Sequence, residues 1–594
     1  MTSPRAEYAQ RLLERHDRVK VAQRLHRRIG NLRLLIALLF AGLLWMVVGH
    51  NGRAWWLLLP VAAFIALVVV HQRVLSRIAF AQRSVWFYQR AAARVEGRLL
   101  PPLESGERFL HPDHPYSADL DIFGRGSLFE LLTTARTRAG EETLARWLQA
   151  PSTAAEGTDR QKAVEELRNK LDLREDLAVL GEDFRTGVHP DALRAWSVAP
   201  PVVFPAYARV LARVLSAVAL ALIIGLVLTL FGNIPLRLGF VAVGLIEGSF
   251  FFQFVTRVRR VIHAVEEPGH DLVLLSQVLH RLEQEQFTSP LLQQLRSALD
   301  SSGELPSKRI ARLARLVEMR DSRDNTFVRI FGPALLWTTQ LAFAVENWRA
   351  TSGDAVPRWL DAVGQFEALS SLASYAFEHP DYPFPELLEG PPTFHGKQLG
   401  HPLLQAPVPN DVSLDTEHRL LLVSGSNMSG KSTLLRTVGV NAVLAQAGSV
   451  VRAVSLRLTP FSVGASLRAT DSLQGGTSRF YAEIKRLRSI LSLPEPLLFL
   501  LDELLAGTNS HDRRIGAEGI IRGLLERKSV GLVTTHDLAL AGIADALAPL
   551  AANVHFEDAL RNGEITFDYR MRPGVVAKSN ALELMRAIGL PVVG

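Results

Sequence analysis

Leu421-Leu-Val-Ser-Gly-Ser-Asn-Met-Ser-Gly-Lys-Ser-Thr433 decides how the C-terminal part of this chain folds. It reads as an apolar strand, then a glycine-bounded turn, then Lys431-Ser432-Thr433 opening a helix. From Gly425 to Ser432 the residues fit G-x-x-x-x-G-K-[ST], the phosphate-binding loop. Small residues let successive backbone N–H groups curl round phosphate oxygens, and the helix N-terminus adds partial positive charge. Gly425, Ser426, Asn427, Met428, Ser429, Gly430, Lys431, Ser432 and Thr433 are therefore the expected ATP-binding residues. Lys431 would reach the β/γ-phosphates, and the Ser432 hydroxyl would ligate Mg²⁺.

Two later strands complete the pattern. Pro496-Leu-Leu-Phe-Leu-Leu-Asp502-Glu503 is an apolar strand ending in two acids. Asp502 is expected to hold the Mg²⁺ shell, and Glu503 to polarise an attacking water. Val530-Gly-Leu-Val-Thr-Thr-His536 is a third apolar strand, ending in a histidine. In P-loop ATPases of the ABC type, a histidine in this order along the chain senses the γ-phosphate. Between loop and acids, Gly476, Thr477 and Ser478 form a turn ahead of a helix, which again suits an anion. In ABC-type ATPases this element completes the site of the opposite subunit, so a homodimer is expected.

Composition sets bounds on the rest. A chain of 594 residues has room for roughly three or four domains. The 66 basic against 59 acidic residues give a net charge of +7, an excess too small to name a partner. With no cysteine, disulfides, thiolate metal sites and cysteine nucleophiles are excluded. A hydrophobic share of 48% is high beside this many charges, and it is concentrated in a few places. Leu34 to Val48 and Trp55 to Val70 are nearly uncharged runs round a short polar turn, and a second pair follows at Val214 to Phe231 and Leu238 to Val255. Each run, with its flanks, approaches the ~20 residues of a membrane-crossing helix. Arginines crowd the N-terminal 30 residues and the flanks of both pairs, whereas the turns hold only Arg53 and Arg237. The positive-inside rule then puts both termini in the cytoplasm of a multi-pass protein of the inner cell membrane, with lipids as partners. The basic start does not read as a cleaved signal, because its apolar region is too long and a second span follows at once. Glu247 lies within the fourth run, where an ionisable group is costly; it is either an ion or proton contact or a polar pair across a hairpin or dimer.

The C-terminal motifs resemble the ATPase domain of the MutS family of DNA mismatch-repair proteins. The resemblance rests on the Asn427-Met428 form of the phosphate loop, on Asp502-Glu-Leu-Leu-Ala-Gly-Thr-Asn-Ser-His-Asp512, and on Thr534-Thr-His-Asp537. Tyr569-Arg-Met-Arg-Pro-Gly574, Asn580-Ala-Leu-Glu-Leu-Met and Gly589-Leu-Pro591 are similar to the closing element of that domain. Upstream, the segment beginning Leu120-Asp-Ile-Phe-Gly resembles the start of the family's core, and Gln365-Phe-Glu-Ala-Leu its returning lever helix. The departures are as informative. Apolar runs stand where a mismatch reader would be, no intercalating Phe-x-Glu wedge is found in a soluble context, and Pro407 and Val408 stand where the family offers an aromatic to the base.

The expected fold class is therefore multi-domain: α-helical membrane hairpins and a helical core and lever region, plus a C-terminal α/β P-loop ATPase domain of ABC/MutS type. The expected segments are a basic helix (1–30), hairpin one (31–71), a core-like helical segment (72–208), hairpin two (209–256), a lever region (257–378) and the ATPase domain (379–594). The expected function is hydrolysis of ATP with Mg²⁺ at a composite dimer interface. Glu503 and His536 would be catalytic, Ser432 and Asp502 would hold the metal, and Gly476, Thr477 and Ser478 would act in trans. Lever movement on DNA is what the resemblance implies; the alternative is an ABC-like mechanical or transport ATPase that does not act on DNA.

Overall fold

The structure, a computed structural model, describes residues 3–49, 54–98, 104–180, 190–228, 234–265, 269–299, 303–321, 331–426, 428–467, 479–561 and 564–576. Two compact units form, each from separate stretches of chain: Met1–Leu132, Arg174–Val179 and Ser374–Gly594 in one, Thr133–Leu173 and Leu180–Ala373 in the other.

In the first unit the basic N-terminal stretch and the first apolar run make one unbroken helix, α1 (Pro4–Gly49), which pairs with α2 (Leu58–Val95). The distal halves leave Leu35, Leu38, Trp45, Trp55, Leu59 and Ile65 exposed, whereas the proximal halves bury Tyr8 and Tyr88. There the helices are fixed by charge. Arg15 donates to Glu175 through Nε (2.8 Å) and Nη2 (2.6 Å), and the Tyr88 hydroxyl donates to the same carboxylate at 2.8 Å. Burial pushes the Glu175 carboxyl up, but bonds from Arg15, Ser84 and Tyr88 and the Arg15 charge outweigh it and hold it below the usual range. Arg94 grips Glu378 in the same manner, with its Nε 3.0 Å from Oε2.

The second unit is helical. Thr137 caps α3 (Arg138–Gln149) by accepting from Gly140 N at 3.1 Å. α4 (Ala206–Leu228) and α5 (Ile234–Ala264) form the second apolar hairpin, followed by α6 (Trp337–Ser352) and α7 (Val356–Glu378). α3 and α7 cross with almost no space between their backbones. A Cβ on Gly364 would stand 2.8 Å from the Ala139 carbonyl oxygen, and Glu367 accepts from the Thr137 N–H at 3.2 Å.

Among the described residues, four helices are long and apolar enough to cross a membrane, by length and composition: α1, Trp55–Val95, Ala206–Leu226 and α5. Each exposes many large apolar side chains, which in general marks contact with lipid or with another protein rather than with water.

The remainder of the first unit is the α/β domain. Its main sheet has six strands in the order β10-β9-β4-β8-β7-β6. β4 (Leu420–Ser424), β6 (Ser462–Ser466), β7 (Leu497–Leu501) and β8 (Val530–Thr535) are parallel, and β9 (Ala551–Arg561) pairs parallel to β4 and antiparallel to β10 (Glu564–Pro573). Every residue of β4, β7 and β8 is buried, as expected for strands covered on both faces. A second sheet, in the order β1-β5-β2-β3, is built from β1 (Glu386–Leu387), β2 (Phe394–Leu399), β3 (Asn410–Leu414) and β5 (Ser455–Leu458). Residues 104–132 pack on this domain: Arg486 Nη2 donates to Asp119 at 2.7 Å, and a Cβ on Gly439 would lie 2.7 Å from Leu120.

The Arg15–Glu175 pair is expected to be worth most when broken from one side. Glu175→Ala leaves the buried Arg15 guanidinium with the half-exposed Glu14, 3.6 Å away, in place of its buried partner, and should destabilise the first unit by about 3 kcal/mol. Thermal unfolding in detergent measures this, and a loss no larger than that of Asp17→Ala, an exposed acid on α1, would count against it.

Candidate nucleotide site

The register of the parallel strands brings the three motifs to one edge. Ser424 of β4 lies opposite Thr535 of β8, and Leu501 of β7 lies opposite Val533. The phosphate loop, Asp502-Glu503 and His536 therefore all leave the sheet at its carboxyl end, the side on which open α/β sheets take ligands.

The loop has the backbone its glycines allow. Gly425 has φ +146° and Gly430 φ +105°, and a Cβ on Gly425 would fall 2.9 Å from Ser429 Oγ. Met428 adopts φ +69° and is exposed. α8 (Lys431–Ala447) starts directly behind, and Lys431 folds back so that its Nζ donates to the carbonyls of Gly425 and Ser426, both at 2.8 Å. Burial pulls the Lys431 ammonium below its ordinary value, against the charges of Glu503 and Asp502. Ser426 Oγ and Ser429 Oγ are buried with no hydrogen-bond partner among the described residues, so two hydroxyls stand ready for an anion's oxygens. Asn427 lies outside the described residues, as do Gly476, Thr477, Ser478 and the stretch from Asn580 to Pro591.

Asp502 stands between two hydroxyls. Ser432 Oγ donates to its Oδ2 at 2.5 Å, and Thr534 Oγ1 donates to its Oδ1. The same Thr534 hydroxyl accepts from the Glu503 backbone N–H at 3.0 Å. Glu503 is held at φ +48°, an uncommon conformation for a residue with a side chain, and its Oε1 lies 3.5 Å from His536 Nδ1. Behind the acids, Glu483 on α9 (Arg479–Leu491) accepts from Leu505 N at 2.6 Å. The helix that follows Gly476–Ser478 is thus bonded to the turn that follows Asp502-Glu503. α10 (Ser510–Glu526) and α11 (Leu538–Ala546) cover the sheet near by.

Lys431, Ser432, Asp502 and Glu503 line a cleft of 690 Å³ shared with Thr433, His401, Asn410 and Tyr569. Sequence reading passed over Thr534, Glu483, His401 and the site role of Tyr569. The Tyr569 ring lies 3.1 Å from where a Gly430 Cβ would be, and Asn410 fixes its backbone by donating to Tyr569 O (2.9 Å) and accepting from Met571 N (2.7 Å). An aromatic wall is therefore present where Pro407 and Val408 supply none, brought in from β10 rather than from the neighbouring loop.

Residues 421–593 match the MutS domain V family. This stretch is a MutS domain V. The chain is 33% identical over 256 residues to "Endonuclease MutS2" of Thermus thermophilus, covering 41% of this chain and 32% of that protein. It is 36% identical over 246 residues to "DNA mismatch repair protein MutS 2" of Halobacterium salinarum, covering 40% and 28%. Against "DNA mismatch repair protein MutS" of Thermus thermophilus the identity is 34% over 281 residues, covering 46% and 33%. The chain spans about a third of the length of these MutS relatives.

His401 gives the MutS-family domain a pH dependence of its own. Burial, aided by the Arg436 and Arg452 charges and opposed by Asp121, pulls it from 6.5 to about 4. Its Nδ1 accepts from Leu403 N at 3.2 Å, so the neutral ring carries its proton on Nε2. A base depressed in the folded state stabilises fully above the unfolded value and loses that contribution as pH falls through the folded one. Between pH 6.5 and 4 the domain should lose about 3 kcal/mol from this group. His401→Asn should flatten that part of the stability–pH curve; a curve that keeps its slope would place the sensitivity elsewhere.

Proposed function

We propose that this chain is a membrane-anchored MutS-family ATPase that binds and hydrolyses ATP at a composite dimer interface and couples the cycle to movement of its helices. The observation that carries the reading is the meeting of Lys431, Ser432, Asp502, Thr534, Glu503 and His536 at one sheet edge, beside a loop with two unpartnered hydroxyls.

Each residue has a task that follows from its position. The loop's N–H groups and hydroxyls cradle phosphate oxygens, and Lys431 exchanges its two carbonyl partners for the β/γ-phosphates. Ser432 and Asp502 would hold Mg²⁺, a metal that takes few protein oxygens and keeps several waters. When bound, the ion neutralises charge developing between the β- and γ-phosphates. Thr534 fixes the Asp502 carboxylate and, through the Glu503 N–H, the backbone that aims Glu503. Glu503 orients and deprotonates the attacking water, and His536, 3.5 Å from Glu503, is placed to feel the γ-phosphate. Tyr569 offers its ring to the base. Gly476, Thr477 and Ser478 are proposed to close the site of a second copy, with Glu483 relaying their position to the Asp502-Glu503 turn.

The four apolar helices support anchoring in the inner cell membrane with the ATPase domain in the cytoplasm. Action on DNA rests on the names of the relatives, whereas the pairing of α1 with α2, and the bond from Gln405 Nε2 of the α/β domain to Gly97 O just beyond α2 (3.2 Å), favour a second output, mechanical work on the membrane. Hydrolysis stimulated by duplex DNA and suppressed by salt would select the first output, and indifference to DNA the second.

Glu503→Gln should lower kcat by roughly 100-fold or more while ATP is still bound. Thr534→Val, which keeps the shape and removes the hydroxyl, should cost roughly ten-fold in Mg²⁺-dependent turnover. Steady-state phosphate release with the full chain in detergent measures both; wild-type turnover in Glu503→Gln would refute the assignment.

A further inference from the structure

The second apolar hairpin holds a chamber unrelated to the nucleotide cleft. It has a volume of 790 Å³ and lies between α5, Ala219 of α4 and the segment Gly332–Thr339 that leads into α6. Phe240, Phe251, Leu336 and Trp337 give it apolar walls. Its size and lining fall in the range of pockets that enclose a small organic molecule.

Two polar groups inside it are unmatched. Glu247 is 5% exposed and its Oε1 has no hydrogen-bond partner among the described residues; Thr339 is 1% exposed and its Oγ1 is likewise unpaired. Both residues line the chamber. A buried unpaired carboxylate oxygen is among the costliest features a fold can retain, and a hydroxyl adds to that cost. The wall beneath them is firmly built: Ser216 Oγ donates to Leu335 O at 2.8 Å, and Gln340 Nε2 donates to both Ser216 Oγ (2.8 Å) and Leu335 O (3.0 Å). Those bonds satisfy Ser216 and Gln340 among themselves and leave Glu247 and Thr339 to whatever enters. The volume is made by Gly244 and Gly248, which flank Glu247 along α5; a Cβ at either would meet no heavy atom within 4 Å.

We infer that this chamber binds an amphiphile carrying one protonated amine on an apolar body, with the ammonium held by Glu247 and Thr339. An ammonium has three donors and no acceptor, which suits a carboxylate and a hydroxyl oxygen together. The rings of Phe240, Phe251 and Trp337 attract a cation and also accept the hydrocarbon body. A bare metal ion is a poor match, because hard cations require six or more oxygens and these walls are mostly carbon. The inference is independent of the ATPase reading, since no residue of the nucleotide cleft takes part.

The test uses the full chain in lipid nanodiscs and a dodecylamine bearing a diazirine on its chain. After photolysis, peptides are mapped by mass spectrometry, with unlabelled dodecylamine as competitor and a diazirine-bearing dodecanol of equal length as the uncharged control. Saturable labelling of peptides spanning 240–251 and 332–339 is expected, with the alcohol weaker by at least about ten-fold. Glu247→Gln, which keeps the side-chain shape, should reduce amine labelling by a similar factor. Gly248→Leu, whose Cβ would meet no heavy atom within 4 Å and whose branched end takes up chamber volume, should abolish labelling by amine and alcohol alike. Labelling that does not saturate, that is equal for amine and alcohol, or that survives Glu247→Gln would overturn the assignment. An unchanged thermal unfolding curve for each variant in detergent shows that a loss of labelling does not come from misfolding.

Discussion

The nucleotide site depends on one carboxylate held between two strands that are not neighbours in sequence. Asp502 at the end of β7 receives the Ser432 hydroxyl from the loop after β4 and the Thr534 hydroxyl from β8. This arrangement exists only because β8 lies between β4 and β7 and is paired to both in parallel register. A slip of one residue would turn every side chain of a strand to the other face. The completely buried apolar strands resist that slip, so the hydrophobic core and the placement of the Asp502 carboxylate are the same constraint.

The same logic of few, buried polar contacts recurs at the foot of the first hairpin. A helix 46 residues long, exposed and apolar over its distal half, is fixed through Arg15 to Glu175, whose carboxylate also receives the Tyr88 hydroxyl of α2. Paired charges in a dry setting are directional, and they transmit displacement better than an apolar patch that can slide. Under the proposed function, movement would pass between the α/β domain and the helices where Gln405 Nε2 donates to Gly97 O at 3.2 Å, just beyond α2.

What was legible in the sequence follows from range. The phosphate loop, the acids of Asp502-Glu503 and the His536 strand are local patterns, each set by a strand and the turn behind it, and the structure brings them together. The apolar runs were legible because composition alone marks a helix whose every face is apolar. Thr534 was not, since a threonine in a buried strand reads as β-propensity until the register shows which carboxylate it faces. Tyr569 was read as part of a closing element, and its place beside Gly430 needed the β9–β10 pairing and the Asn410 clamp. The Arg15–Glu175 pair spans 160 positions, and nothing local announces it. Glu247 was seen at once as an anomaly, but its meaning lay in the space left by Gly244 and Gly248 and in the unpaired Thr339.

The account stands or falls on whether Ser432 and Asp502 serve one metal centre. The direct measurement is the affinity of the full chain for ATP with and without Mg²⁺, in wild type, Ser432→Ala, Asp502→Asn and the double variant. One shared centre predicts that each single change removes most of the Mg²⁺-linked tightening, about ten-fold or more, and that the double variant is scarcely worse than either. Independent, additive losses, or Mg²⁺-linked binding that survives Asp502→Asn, would contradict it.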